Sequence, residues 1–75
     1  MSEQRKFAII VEEGEHNYSA YSPDLPGCVS TGKTVEETVE NMKEAISLHL
    51  EGLKEDSRPI PESATVATQL ITISV

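Results

Sequence analysis

Few side chains in this sequence could do chemistry. They are one thiol, Cys28; two imidazoles, His16 and His49; and three carboxylates near strand-like segments, Glu12, Glu13 and Asp24. A nucleophilic cysteine needs a base within hydrogen-bond reach and surroundings that lower its pKa. The neighbours of Cys28 in sequence are proline, glycine and valine, so it reads as a structural residue at a strand start. His16 sits in turn-forming sequence between Glu15 and Asn17. His49 lies at the side of an apolar helical stripe, where a half-buried, hydrogen-bonded histidine is expected. Two histidines in different elements do not make a zinc site, and no Cys-x-x-Cys pair accompanies them. A two-metal nuclease needs several acids converging on the same ions. The central positions of the strand that would carry the first of them are Ile9 and Ile10. Gly27, Gly32, Lys33 and Thr34 spell the phosphate-loop pattern G-x-x-x-x-G-K-[ST]. The intervening Cys-Val-Ser-Thr reads as a strand rather than a phosphate-wrapping loop, and the chain lacks the parallel α/β sheet such a loop serves. The match is a coincidence of letters. The residues predict no enzyme, no cofactor and no metal.

The elements that position these groups follow from periodicity. Residues Lys6 to Glu13 alternate as a first strand, with Phe7, Ile9 and Val11 on one face and Ala8 and Ile10 on the other. Both faces are apolar, which predicts cover on both sides. Residues 13–17 have turn composition, and Asn17 to Ser22 returns as a second, antiparallel strand. Pro23-Asp24-Leu25-Pro26-Gly27 interrupts the ladder, because proline lacks a donor and restricts the residue before it. Cys28 to Thr31 is a short third strand. Thr34, with Glu37 three residues on, signals a capped helix start. Val35, Val39, Met42, Ile46, Leu50 and Leu53 then form one apolar stripe, opposite Glu37, Glu40, Glu44, Glu51 and Glu55. Pro59 and Pro61 hold an extended connector. Residues Gln69 to Val75 (QLITISV) alternate as a final strand that must be paired in the sheet or in an oligomer. The predicted order is β-β-β-α-β, an α+β fold with one mainly antiparallel sheet and one helix packed on it.

Length and charge narrow the function. Seventy-five residues make one domain, 1–75, with a thin core. With one Phe, two Tyr and no Trp, self-association is the expected way to bury more apolar surface, as a dimer or tetramer. A formal net charge of −7 repels phosphate backbones and attracts a basic protein, though solubility alone would also explain it. Direct nucleic-acid binding is therefore not expected. No run approaches the ~18 apolar residues of a membrane span, and residues Met1 to Lys6 lack a signal-peptide core. A lone cysteine fits the reducing cytoplasm.

The segment from Tyr18 to Gly32, Y-S-A-Y-S-P-D-L-P-G-C-V-S-T-G, resembles the signature of the HicB antitoxin family. That signature is an aromatic strand, then P-D-L-P-G-C, then a glycine before a capped acidic helix. Glu44 to Leu53 and Pro59-Ile-Pro61 are similar to that family as well. The resemblance implies a β-β-β-α-β domain likened to a partial RNase H fold. It also implies a protein that binds and blocks HicA, a small basic mRNA-cleaving toxin encoded beside it. Longer family members add a DNA-binding module; no basic helix follows the last strand here, so operator binding is not expected. A rigid, proline-bounded loop would present preorganised contacts. The expected partner-binding residues are Tyr18, Tyr21, Asp24, Leu25, Pro26 and Cys28. The two tyrosines point to opposite faces, so at most one serves the same surface. The same loop reads equally as a sharp strand-to-strand turn. A HicB-like self-assembling module without a cognate toxin is the alternative function.

Overall fold

A computed structural model describes residues 4–75; the first three residues of the polar N-terminal segment lie outside the described region. Three strands, β1 (Ile10–Glu13), β2 (Tyr18–Tyr21) and β3 (Val29–Gly32), precede one helix, α1 (Val35–Glu55). The sheet runs β1-β2-β3, antiparallel throughout, with Val11 opposite Ala20 and Ala20 opposite Ser30. The first turn closes through the Gly14 N–H, which donates to Asn17 O at 2.7 Å. Strand alternation then places Val11, Ala20 and Ser30 toward the helix, and Ile10, Tyr21 and Val29 on the opposite face.

The core lies between that first face and α1. Ala20, Leu25, Cys28 and Met42 are its buried centre, with Phe7, Ile9, Val11, Ala45, Ile46 and Leu50 packed around them. The helix starts where expected: the Thr34 hydroxyl accepts from the Glu37 N–H at 3.0 Å. Its buried stripe keeps Met42 in the core with Ile46 and Leu50 packed against it, as expected, and departs only in the first turn. Thr38 and Met42 are fully buried, whereas Val35 at 44% exposure faces water. The sheet and helix come closest at Gly32, where an added Cβ would sit 2.7 Å from the Thr38 backbone nitrogen. A threonine tolerates that position because its hydroxyl donates to Thr34 O at 2.7 Å. Ser30 Oγ donates to Thr38 O at 3.0 Å and Asn41 Nδ2 to Thr31 O at 2.8 Å, so polar bonds also lock α1 onto β3.

The helix ends in a six-residue reverse bond from the Arg58 N–H to Leu53 O at 2.8 Å, with Ser57 in the left-handed region at φ 55°. Such a closure satisfies carbonyls that a helix end leaves unpaired. Beyond it the chain runs as an arm. Here the sequence expectation is corrected: residues 69–75 form no ladder, and among the described residues the sheet has three strands. A strand must approach its neighbour to about 4.8 Å to pair. A cleft of about 340 Å³ instead lies among Ile9, Ile10 and Val11 on one side and Thr68, Gln69 and Leu70 on the other. The cover expected over the second face of the first strand is likewise missing from helix and sheet, leaving Ile10 half-buried beside that cleft.

Candidate functional site

Residues 22–28 gather the chemically distinctive side chains, and the loop's own backbone decides where each one goes. The Leu25 N–H donates to Ser22 O at 3.3 Å and the Cys28 N–H to Leu25 O at 3.1 Å, two consecutive tight turns. Gly27 takes φ +82°, a conformation L residues rarely adopt. This winding tucks Leu25 inward until it is fully buried and sets Cys28 beside it in the core. Ser22, also buried, donates to Ala8 O at 2.8 Å and ties the loop to the chain entering β1. Burial pushes the Cys28 thiol pKa up, the opposite of what a nucleophile needs.

Asp24 turns the other way. Its carboxylate accepts from the Ser63 hydroxyl at 3.0 Å and from the backbone N–H groups of Ala64 and Thr65 at 3.3 and 3.4 Å. The Thr65 side chain does most to hold the Asp24 pKa below the ordinary carboxylate value. Desolvation pushes against it, and Ser63 and the two backbone donors add to the lowering. Asp24 is thus a latch on the arm, 39 to 41 residues away in sequence. Nothing local in the P-D-L-P-G run signals this; only the hydroxyl-rich Ser63-Ala64-Thr65 could have hinted at a partner.

The six residues expected to meet a partner therefore divide. Leu25 and Cys28 are core residues in this chain, and Asp24 is occupied by the arm. Tyr18 is half-buried on the helix side, opposite Glu13. Tyr21, 39% exposed, and the exposed Pro26 face outward. The register adds two residues the sequence reading did not single out. Ile10 pairs with Tyr21 and Tyr21 with Val29, so one apolar row crosses the uncovered sheet face. Val29 is 64% exposed. On the far side of the molecule, Glu36, Glu37, Glu40, Glu44, Glu51 and Glu55 line the outer face of α1.

The remaining candidates are placed without bringing chemistry together. Val29–Gly32 of the phosphate-loop-like segment is strand β3, and Thr34 is occupied in capping α1. Glu12, Glu13 and His16 are exposed at one end of the sheet, and His49 is half-buried on α1. Among the described residues no three His, Cys, Asp or Glu side chains are grouped to hold a metal ion. No helix is long and apolar enough to cross a membrane among them.

Comparison with known proteins gives this arrangement a context. The family described as HicB_like antitoxin of bacterial toxin-antitoxin system matches residues 7–72. An uncharacterised 14.9 kDa protein of Haemophilus phage HP1 is 44% identical over 57 residues, covering 76% of this chain and 43% of its own length. A UPF0150 protein of Helicobacter pylori is 49% identical over 47 residues, covering 63% of this chain and 65% of its own. A UPF0150 protein of Synechocystis is 36% identical over 62 residues, 83% of this chain and 78% of that protein. The chain thus spans less than two thirds of the phage and Helicobacter relatives. No solved structure matches.

Proposed function

Since the chain belongs to the HicB-like antitoxin family, we propose that it binds and inhibits a HicA-type, basic, mRNA-cleaving toxin. The observation that carries this reading is the family match over residues 7–72, which includes the loop and the whole helix. The charge supports it: a net −7 draws a cationic ribonuclease from a distance and suits occlusion of an RNA-binding face. The contact proposed is the open sheet face, with Tyr21 at its centre, Ile10 and Val29 flanking it, and Pro26 at the loop tip. Tyrosine on a rigid strand is the kind of anchor that carries binding energy. In this reading Leu25 and Cys28 serve the contact from beneath by fixing the loop. Asp24 serves it by holding the arm, and Tyr18 by backing β2.

Inhibition of this kind is steric; the chain covers its partner and performs no bond chemistry of its own. We place it in the cytoplasm, where a free, buried thiol such as Cys28 persists reduced. We also take it to be a homo-oligomer, as its small core suggests. The test is to mix the protein with the product of the neighbouring short basic reading frame and measure complex mass and affinity. A stoichiometric complex is expected. Tyr21→Ala should weaken it by roughly 2 kcal/mol, the scale of an interfacial hot spot. Absence of any complex at micromolar concentrations would defeat the proposal.

A further inference from the structure

The apolar row through Tyr21 is only half of the open sheet face. The register sets a second row two residues along each strand, with Glu12 opposite Ser19 and Ser19 opposite Thr31. Alternation turns these three side chains to the same side as Ile10, Tyr21 and Val29. Glu12 and Thr31 are exposed, and Ser19 is half-buried between them. The short serine on the middle strand leaves a recess, bounded by the Tyr21 ring, the Glu12 carboxylate and the Thr31 hydroxyl. Tyr21 and Glu12 are diagonal neighbours across β1 and β2, about 7–8 Å apart at Cα, within reach of one long side chain.

Charge identifies what the recess takes. Of these six outward side chains only Glu12 is ionised, and no ion pair among the described residues engages it. Six of the chain's 13 acids line the outer face of α1. From there they attract a basic partner but cannot touch one seated on the sheet. Asp24 is already held by the arm. The carboxylate that such a partner covers is therefore that of Glu12, and a covered charge must be paired and hydrogen-bonded. We propose that the recess is an arginine site. A guanidinium of the partner stacks on the Tyr21 ring, forks onto the Glu12 carboxylate and donates its remaining N–H groups to the Ser19 and Thr31 hydroxyls. Arginine carries five donors in a planar fork and stacks on aromatic faces; the compact ammonium of lysine cannot do both at once. The inference rests on the reading of this face as the toxin contact. It adds Glu12 as the residue that selects the partner's side chain.

The test uses the full chain and the basic product of the neighbouring short reading frame. Glu12→Gln should weaken the complex roughly tenfold to a hundredfold, mainly through faster dissociation, as expected of a covered charged partner. Glu13→Gln is the control, because it removes the same charge from the adjacent position on the helix side of the strand. It should leave the dissociation rate within about twofold. Both variants should keep the helical circular-dichroism signal, since both residues are exposed. Arginines of the partner are then changed to lysine one at a time. One of them should lose about as much as Glu12→Gln, and the two changes together should cost little more than either alone. Equal effects of Glu12→Gln and Glu13→Gln would overturn the proposal, and so would a complex in which every arginine tolerates lysine. Glu12 would then only guard the outer strand against edge pairing. Those outcomes leave the antitoxin reading standing, whereas no complex with the wild-type protein defeats that reading and this site together.

Discussion

Gly32→Ala should be far more damaging than a surface methyl group ordinarily is. A Cβ at this position would stand 2.6 Å from Thr38 Oγ1, 2.7 Å from Thr38 N and 3.0 Å from Thr38 Cα. Two of these neighbours are helix backbone, so no rotamer change relieves the overlap. The first turn of α1 must retreat by about 0.7 Å to restore ordinary contact at 3.4 Å. The retreat lifts Thr38 and Met42, both fully buried, away from β2 and β3. Overpacking of this kind costs about 1–3 kcal/mol. Stretching the Ser30–Thr38 and Asn41–Thr31 bonds adds up to about 1 kcal/mol. A loss of about 2–3 kcal/mol is large for a chain this small, whose total stability is on the order of 5 kcal/mol. Urea denaturation followed at 222 nm reads it directly. With a slope of about 1 kcal/mol per molar, the midpoint should fall by about 2–3 M. Adding Thr38→Ala should recover only the part due to the hydroxyl. A loss below about 0.5 kcal/mol, the usual scale of a neutral surface change, would refute the argument that β3 and α1 meet through backbone at Gly32.

Ser57→Gly should stabilise the chain by about 0.5–1 kcal/mol, because glycine occupies the left-handed closure of α1 without the Cβ penalty; the same urea titration checks it. Acid should free the arm. Asp24 has a lowered pKa when folded, so its contribution is present above its unfolded value of 3.8 and is lost as pH falls through the folded one. Proteolysis or hydrogen exchange at residues 63–68 should therefore increase below about pH 4 before α1 unfolds. Asp24→Ala should produce the same opening at neutral pH.

The hairpin and the helix start were legible because their signals are local. Residues 13–17 sit between two alternating runs, and Thr34 meets Glu37 one turn later. The outward acidic stripe was legible for the same reason, being set by helical phase alone. What escaped depends on contacts distant in sequence or on backbone conformation. Thr38 was passed over as polar, yet its hydroxyl is satisfied by Thr34 O and its backbone closes directly on Gly32. Leu25 read as presented because prolines flank it, whereas the turn ending at Gly27 folds it into the core. Asp24 binds residues 39 to 41 positions on, a distance no motif spans. The tail's alternation marks it as strand-forming, but pairing also needs an edge within reach, and its own chain offers it a cleft.

The most direct trial of the antitoxin reading is a cleavage titration. The neighbouring basic toxin is held constant on a defined mRNA while this protein is added in steps. Cleavage should fall linearly to zero at a fixed protein-to-toxin ratio, and Tyr21→Ala should blunt the curve without altering the helical signal. RNA degraded at the same rate through a large excess of folded protein would contradict the account.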